Sequence, residues 1–161
     1  MALALRLSRS KAVTLSRLYP DAAVIGADTV VAVSGAEGLE ILGKPADVAD
    51  AATMLAKLGG KKHVVVTGFA ILCGAPAIDV AQAVSTDVFF RAMSYDEIAD
   101  YVATGEPLDK AGAYGIQGAG GIFVESITGS YSNVVGLPMC ELYLALKKTG
   151  VYPDITLVSA I

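Results

Sequence analysis

The order of apolar and polar positions divides the chain into alternating strand-like and helical segments. Runs of β-branched residues, typical of buried strands, alternate with segments in which apolar residues recur every three or four positions, as on one face of a helix. The first helical segment covers about residues 1–18, where Leu7, Leu15 and Leu18 fall near one helical face. This alternation predicts an α/β domain.

Turn and capping residues set the limits of the remaining elements. Strands are predicted at residues 22–33, 39–43, 62–74, 77–91 and 121–127, with turns at 34–38, 74–76 and 128–129. Helices are predicted at 47–58, capped by Asp47, at 94–105, opened by a capping box at Ser94, and at 138–148. There is no internal repeat, low-complexity tract or linker. We therefore expect residues 1–161 to form a single domain, with a mixed, largely antiparallel and elongated sheet flanked by helices.

Composition argues against several classes of protein. The net charge of −4 argues against broad binding to nucleic acid or to an acidic membrane, since both need a basic face. The longest uncharged stretch, 64–78, contains glycine and proline and is shorter than the roughly 18 apolar residues of a membrane span. Cys73 and Cys140 lie in no CxxC pair, which favours reduced, buried thiols in a cytoplasmic protein.

Asp28 is the sharpest local signal, because it is an acid within a predicted apolar strand. An ionised carboxylate in such a place is costly unless it meets a cation, a metal ion or several hydrogen-bond donors. Two interpretations stay open. Asp28 is either a strand-end residue that caps a neighbouring turn, or a metal ligand or general base at the mouth of a cleft. Thr29, beside it, is by itself only a residue typical of strands.

Two lysines and a histidine give weaker signals. Lys44 stands between Gly43 and Pro45, a corner that can present its charge to a phosphate group, and Lys11 on the first helix is a weaker candidate. His63 has no second histidine or nearby cysteine, so a structural core histidine is favoured over a metal ligand.

The glycine-rich segment GEPLDKAGAYGIQG, residues 105–118, matches neither of two common phosphate-binding motifs. Its glycines at 112, 115 and 118 lack the GxGxxG spacing of dinucleotide-binding folds, and no GK[ST] follows, as a Walker A loop would need. The same glycines allow the backbone to approach a ligand closely. Gln117 can both donate and accept hydrogen bonds, which suits recognition of a nucleobase edge.

Five blocks of the sequence resemble, in this order, the Maf family of nucleoside triphosphate pyrophosphatases. The blocks are IGADTVV, ILGKPAD, VVTGFAI, YVATGEPLDKAGAYGIQGAGGIFVE and SYSNVVGLP. The resemblance extends from about Leu7 to Gly150 and implies the elongated α/β fold shared with inosine triphosphatases. It also implies an enzyme that hydrolyses dTTP and UTP, and modified pyrimidine nucleotides, to the monophosphate and pyrophosphate.

The resemblance implies roles for residues at the phosphate end of the substrate. Asp28 is implied as the catalytic acid–base residue and as the ligand of a divalent metal cation, Mg²⁺ or Mn²⁺. Lys11, Lys44 and Lys110 are implied to neutralise the triphosphate. The implied partners are a nucleoside triphosphate and a second copy of the chain, in the cytoplasm, with no nucleic acid or membrane.

The resemblance also distinguishes between branches of the family. Thr29 and Gln117 match the positions that mark the branch preferring dTTP and UTP, with Gln117 facing the base. The other main branch, which acts on 7-methyl-GTP, usually has an acid where this chain has Gln117, and it is the second alternative function. The first alternative is a catalytically weak nucleotide-binding or cell-division regulatory protein.

The N-terminal segment departs from the family pattern. The family begins with a strand and an SxSPRR loop that supplies serine and arginine to the phosphates, and this sequence contains neither. We therefore expect an N-terminally truncated chain whose activity is impaired by the missing loop. The basic composition of residues 1–20 also occurs in transit peptides, but LSRSKA resembles the family's lysine-bearing helix and favours a folded helix.

Overall fold

The fold is built from strands and helices in the described ranges of the computed structural model, residues 1–35, 38–74 and 76–151. The strands there are β1 (Val24–Gly35), β2 (Gly38–Leu42), β3 (Lys62–Cys73), β4 (Ile78–Phe90) and β5 (Val124–Thr128). The α-helices are α1 (Ala2–Ser16), α2 (Val48–Leu58), α3 (Tyr95–Ala103), α4 (Tyr131–Val135) and α5 (Met139–Thr149). Short 3-10 helices occupy Glu106–Asp109, Ala111–Ala113 and Ala119–Phe123. This order confirms the predicted α/β class.

The described strands pair into one sheet in the order β2-β1-β3-β4-β5. The sheet is antiparallel as expected, but no parallel pairing occurs among the described residues, so the predicted mixed character is not found there. β2 pairs with β1 only from Val31 to Gly35. Across the described residues, β1 therefore has β3 on one side and no strand on the other from Val24 to Val30. Asp28 and Thr29 lie on this edge.

Helix α1 packs against one face of the sheet through small side chains and not through leucines. Leu15 and Leu18, which fall near the same helical face as Leu7 in the sequence, are 47% and 68% exposed. Leu7 is half-buried. The residues of α1 that are fully buried against the sheet are Ala4, Ser8 and Ala12.

Two glycines of the sheet explain why only small residues fit there. A Cβ atom at Gly26 would lie 2.4 Å from the carbonyl oxygen of Ser8, and one at Gly68 would lie 2.5 Å from the carbonyl carbon of Ala4. Carbon atoms that are not bonded do not approach so closely, because they are in contact at about 3.5–4.0 Å. The backbone of α1 therefore rests directly on β1 and β3.

The opposite face of the sheet carries the larger side chains in two clusters. One cluster contains Val31, Val65 and Phe90 of the sheet and is covered by α2, α3 and the glycine-rich segment. The other contains Phe69 and Ile71 of β3 and is covered by α5. Burial of such residues typically contributes about 1.5–3 kcal/mol for each side chain.

Capping residues confirm the starts of two predicted helices. The side chain of Asp47 accepts a hydrogen bond from the N–H of Asp50 at 2.9 Å and begins α2. Ser94 and Glu97 form the predicted capping box of α3. The last helix begins at Met139, after Pro138, also as predicted.

The limits of the other helices and strands differ in part from those predicted. β5 begins at Val124, three residues later than expected, because residues 119–123 form a 3-10 helix. Helix α4 was not predicted, since five residues are too few to show a helical period. The predicted turns at 34–38 and 74–76 include residues 36, 37 and 75, which lie outside the described residues.

Candidate active site

A cleft of about 620 Å³ lies along the edge of β1. Its walls come from β1, from the glycine-rich segment and from the end of α4. The structure brings every predicted site residue to this one cleft: Lys11, Asp28, Thr29, Lys44, Lys110 and Gln117. The first and the last of these are 106 positions apart in the sequence, so only the fold places them together.

Asp28 meets a cation and does not cap a turn. The ammonium group of Lys11 on α1 donates a hydrogen bond to the Asp28 carboxylate and lies 3.3 Å from the carbonyl oxygen of Ala27. The side chain of Asp28 is 17% exposed and that of Lys11 is 59% exposed. Of the two interpretations from the sequence, the acid at the mouth of a cleft is the one that this placement supports.

Thr29 points to the sheet face opposite Asp28, because successive residues of a strand alternate between faces. It pairs with Thr67 across β1 and β3, and the two hydroxyl oxygens are 2.8 Å apart. Thr67 in turn contacts the buried Asn133 of α4. The cleft thus reaches both faces of the strand edge, with Asp28 and Lys11 on one face and Thr29 on the other.

Two further cations reach the cleft with different surroundings. The exposed Lys44 forms no salt bridge with any described residue. Lys110 forms an ion pair with Asp109, and this contact holds the pKa of the Asp109 carboxyl below its usual value. Asp109 also lines the cleft, so part of the charge of Lys110 is already neutralised there.

Glu106 lines the cleft and was not predicted as a site residue. Its carboxylate accepts hydrogen bonds from the Tyr101 hydroxyl at 2.9 Å, from the N–H of Ala119 at 2.9 Å and from the N–H of Gly120 at 3.2 Å. Burial alone would raise the pKa of Glu106, but the Ala119, Tyr101 and Gly120 hydrogen bonds hold it below its usual value. Glu106, near the start of the glycine-rich segment, therefore holds the residues just after its end, and Gln117 lies between them.

The glycines of this segment are explained by contacts within the protein. A Cβ atom at Gly118 would lie 2.3 Å from a carboxylate oxygen of Glu106, and one at Gly112 would lie 3.0 Å from the side chain of Val31. Gly112 also has a φ of +73°, in the left-handed region that favours glycine. The segment is thus wrapped around Glu106, and contacts within the protein account for Gly112 and Gly118. The approach of its backbone to a ligand stays a prediction. The sequence signal that could have revealed Glu106 is that it is an acid within the glycine-rich segment, directly after Gly105.

His63 is a structural core histidine, as the sequence favoured. Its ring is 1% exposed, with Nε2 2.9 Å from the hydroxyl of Tyr114 and with the ring edge against Phe90. Burial lowers the pKa of His63 to about 4. Within the described ranges, no group of three or more histidine, cysteine or acidic side chains is placed to hold a metal ion.

Two other expectations from composition can be compared with the structure. Cys73 is buried, as expected, but Cys140 is exposed at the start of α5. The exposed position is a correction, and it arises because Cys140 lies on the outer side of α5, whereas Leu142 and Ala145 of the same helix are buried against β3. None of the described helices is both long enough and apolar enough to cross a membrane.

An antiparallel α/β fold whose cleft is lined by three lysines and three carboxylates, of which Glu106 and Asp109 are engaged within the protein, defines a class of protein suited to binding a polyphosphate. The chain belongs to the Maf family, since the family model described as "Maf-like protein" matches residues 1–149. Curated relatives are about 50% identical to it over the aligned residues. One from Desulfotalea psychrophila is 51% identical over 137 residues, which are 85% of this chain and 68% of that protein.

Other relatives agree with this one. A protein from Citrifermentans bemidjiense is 50% identical over 145 residues, covering 90% of this chain and 73% of its own length. One from Clostridium beijerinckii is 50% identical over 133 residues, covering 83% of this chain and 69% of its own length. All three relatives carry the name dTTP/UTP pyrophosphatase. The roles assigned to single residues of this chain stay predictions.

Proposed function

We propose that this protein is a nucleoside triphosphate pyrophosphatase that hydrolyses dTTP and UTP, together with modified pyrimidine nucleotides. The products are the nucleoside monophosphate and pyrophosphate. The observation that carries this proposal is the cleft in which Asp28, three lysines, Thr29 and Gln117 meet, in a chain half identical to proteins named dTTP/UTP pyrophosphatase. Neither the net charge of −4 nor the cleft favours nucleic acid or an anionic membrane as the ligand.

The chemistry assigned to Asp28 is that of a general base. Its carboxylate accepts a proton from a water molecule while the water oxygen attacks the α-phosphorus. The bond between that phosphorus and the α–β bridging oxygen breaks, and pyrophosphate leaves. Lys11 holds the carboxylate at the strand edge through the ion pair. Lys11, Lys44 and Lys110 offset the negative charge of the triphosphate.

A divalent cation, Mg²⁺ or Mn²⁺, fits this cleft only if the substrate supplies part of its coordination. The described residues form no acidic cluster around Asp28, and Glu106 already accepts three hydrogen bonds within the protein. Mg²⁺ is commonly held by one or two carboxylates together with substrate phosphates and water. Asp28 is the residue that would hold the ion, which would neutralise charge on the phosphate oxygens.

The preference for a uracil-type base is assigned to Gln117 and Thr29. The uncharged amide of Gln117 can pair with both a carbonyl group and an imide N–H, whereas a carboxylate in its place would repel the carbonyl. Gln117 is exposed at the cleft and is carried by the segment that Glu106 holds. We therefore place the phosphates near the lysines and the base near Thr29 and Gln117.

The proposal is tested by measuring pyrophosphate release from dTTP, UTP, dCTP, ATP and 7-methyl-GTP. The assay is run after treatment with EDTA and again after addition of Mg²⁺ or Mn²⁺. Preferred turnover of dTTP and UTP that depends on the added cation supports the proposal. Preferred turnover of 7-methyl-GTP would instead support the second alternative, a 7-methyl-GTP pyrophosphatase of the family's other main branch. Nucleotide binding without any turnover would favour the regulatory alternative.

We also propose that the protein is a cytoplasmic homodimer. The cytoplasm holds the nucleotide pool on which such an enzyme acts. Exposed apolar side chains occur near the C-terminal helices, including Tyr131, Met139, Tyr143 and Leu144. Such a surface suits association with a second copy. Light scattering after gel filtration gives the solution mass and decides between monomer and dimer.

A further inference from the structure

The hydroxyl group of Thr29 is the cleft end of a chain of hydrogen bonds that runs into the core. The Thr29 and Thr67 hydroxyl oxygens are 2.8 Å apart, and the Thr67 hydroxyl donates to the backbone carbonyl oxygen of Asn133 at 2.8 Å. Thr67 and Asn133 are fully buried, whereas Thr29 is only half-buried and lines the cleft. We call these three residues the hydroxyl chain.

The direction of the hydrogen bonds in the hydroxyl chain follows from counting protons. A threonine hydroxyl carries one proton and two lone pairs, while a carbonyl oxygen can only accept. The single proton of Thr67 is used in the bond to Asn133. The bond between the two threonines must therefore use the proton of Thr29. This leaves Thr29 with lone pairs, and no proton, to offer to a ligand in the cleft.

Asn133 is fixed, so the direction cannot easily reverse. Its side-chain amide donates to the carbonyl oxygen of Val65 and to the hydroxyl of Thr86, each at 3.0 Å. Its side-chain oxygen accepts the N–H of Thr67 at 3.2 Å. An unmade hydrogen bond at a buried site costs about 1–3 kcal/mol, so these contacts hold the backbone of Asn133 in one place.

The open side of the Thr29 hydroxyl is kept clear by a glycine. A Cβ atom at Gly136, at the end of α4, would lie 3.6 Å from the Thr29 oxygen, which is ordinary van der Waals contact. Any larger residue at position 136 would cover the lone pairs. The absence of that side chain leaves the hydroxyl accessible from the cleft.

We propose that Thr67 and Asn133 are positioning residues that make Thr29 an obligatory hydrogen-bond acceptor, so that the ligand atom facing it must be a donor. This inference rests on the proposed pyrimidine nucleotide substrate. A phosphate oxygen and the ring N3 of cytosine are acceptors, and each would face the lone pairs unfavourably. The imide N–H of uracil or thymine is the matching donor. The hydroxyl chain thus selects the dTTP and UTP type of base over the cytosine type.

The test compares kcat/KM for dTTP with kcat/KM for dCTP in three variants. Thr67→Val keeps the shape but removes the acceptor for the Thr29 proton, so Thr29 can rotate and donate to cytosine. We expect the dTTP to dCTP ratio to fall about tenfold, equivalent to one hydrogen bond. Thr67→Ser keeps the hydroxyl and should restore the ratio. Thr53→Val, which removes an exposed hydroxyl bonded to the carbonyl oxygen of Ala49 within α2, is the control and should leave the ratio unchanged.

A second measurement needs no variant and does not depend on correct folding of a mutant. Wild-type protein is assayed with UTP and with UTP methylated at N3, where a methyl group replaces the imide proton. We expect kcat/KM to fall about tenfold or more, because the donor that faces Thr29 is lost. Equal turnover of the two nucleotides would overturn the inference.

The other outcomes are equally decisive. An unchanged dTTP to dCTP ratio in a folded Thr67→Val protein refutes the role of the hydroxyl chain. A change confined to the dTTP to UTP ratio would place the sugar or the 5-methyl group of the base at Thr29, and would also refute it. If wild-type protein releases no pyrophosphate from any nucleotide, the proposed function fails. The inference is then tested by the ratio of the equilibrium dissociation constants of dTTP and dCTP, which needs no turnover.

Discussion

The ammonium group of Lys11 is paired with the carboxylate of Asp28, and this contact joins α1 to the open edge of β1. A second ion pair, between Arg9 and Asp79, joins the same helix to β4. The two pairs differ in position, because only Lys11 and Asp28 line the cleft. They therefore provide a matched comparison between a contact in the proposed site and a contact outside it.

Replacing Asp28 by asparagine should stop turnover and leave nucleotide affinity largely intact. The amide keeps the size of the side chain but cannot act as a general base, so the loss falls on the chemical step and should be about a hundredfold or more in kcat. Asp79→Asn removes the other α1 ion pair and should leave kcat near the wild-type value. Steady-state kinetics and a binding isotherm measure both quantities. Near-normal kcat in Asp28→Asn would remove Asp28 from the mechanism.

Replacing Lys44 by methionine should raise KM for dTTP about tenfold, with a smaller change in kcat. Lys44 forms no salt bridge with a described residue and affects Asp109 less than Lys110 does, so more of its charge is available to the triphosphate. A hydrogen bond to a charged group is worth about 1.5–3 kcal/mol. Lys110→Met should have a smaller effect, because Asp109 already offsets that charge. Lys62→Met, which breaks an exposed pair with Asp87, is the control. A KM equal to that of this control would contradict the role of Lys44.

Replacing Glu106 by alanine should weaken dTTP binding although Glu106 is assigned no contact with the substrate. Three donors lose their acceptor. The hydrogen bonds that join Glu106, near the start of the glycine-rich segment, to Ala119 and Gly120 just after its end are also lost. We expect KM to rise about tenfold and the free energy of unfolding to fall by about 2 kcal/mol. Glu125→Ala, at an exposed position in β5, is the control. Urea unfolding and steady-state kinetics give the two values, and an unchanged KM would show that Gln117 is positioned by other contacts.

Replacing Gly68 by alanine should destabilise the protein strongly. The added methyl group would lie 2.5 Å from the carbonyl carbon of Ala4, so α1 must move away from the sheet. Overpacking of this kind typically costs about 1–3 kcal/mol, and Gly68 lies at the upper end because the three nearest atoms all belong to the backbone of α1. Gly43→Ala meets no atom within 4 Å and should change stability little. Similar urea midpoints for both variants would contradict the close contact of α1.

The stability of the protein should fall between pH 7 and pH 5 because of His63. Burial lowers the pKa of His63 to about 4, below its ordinary value of 6.5, so in this range the unfolded chain binds a proton that the folded protein does not. Stability therefore rises with pH across this window, and the difference from pH 5 to pH 7 is about 2 kcal/mol. Urea unfolding at the two pH values measures it. His63→Gln should lose most of this dependence, and an equal dependence in both proteins would assign it to other groups.

The elements could be predicted from sequence wherever the signal is local. The capping residues Asp47 and Ser94, the β-branched runs of β1 and β3, and the alternation of strands and helices depend on neighbours in the chain, so pattern alone identified them. Helix α4 and the 3-10 helix before β5 are too short to show a period. The residues of α1 that pack on the sheet could not be predicted from the leucine pattern, because the closeness of Gly26 and Gly68 to the helix is a contact between distant segments.

In the candidate site, too, residue types could be predicted from the sequence but their arrangement could not. The unusual acid in a strand, Asp28, and the family resemblance of the blocks around Lys44 and Gln117 were visible in the sequence, because residue type and order suffice to recognise them. Only the tertiary structure decided that these residues share one cleft, that Glu106 supports its wall and that Thr29 can offer only lone pairs. The physical reason is that a hydrogen bond forms only if its two groups point towards each other, and an ion pair forms only if its two charges are close. Both are set by where the fold brings separate segments together and not by the order of residues along the chain.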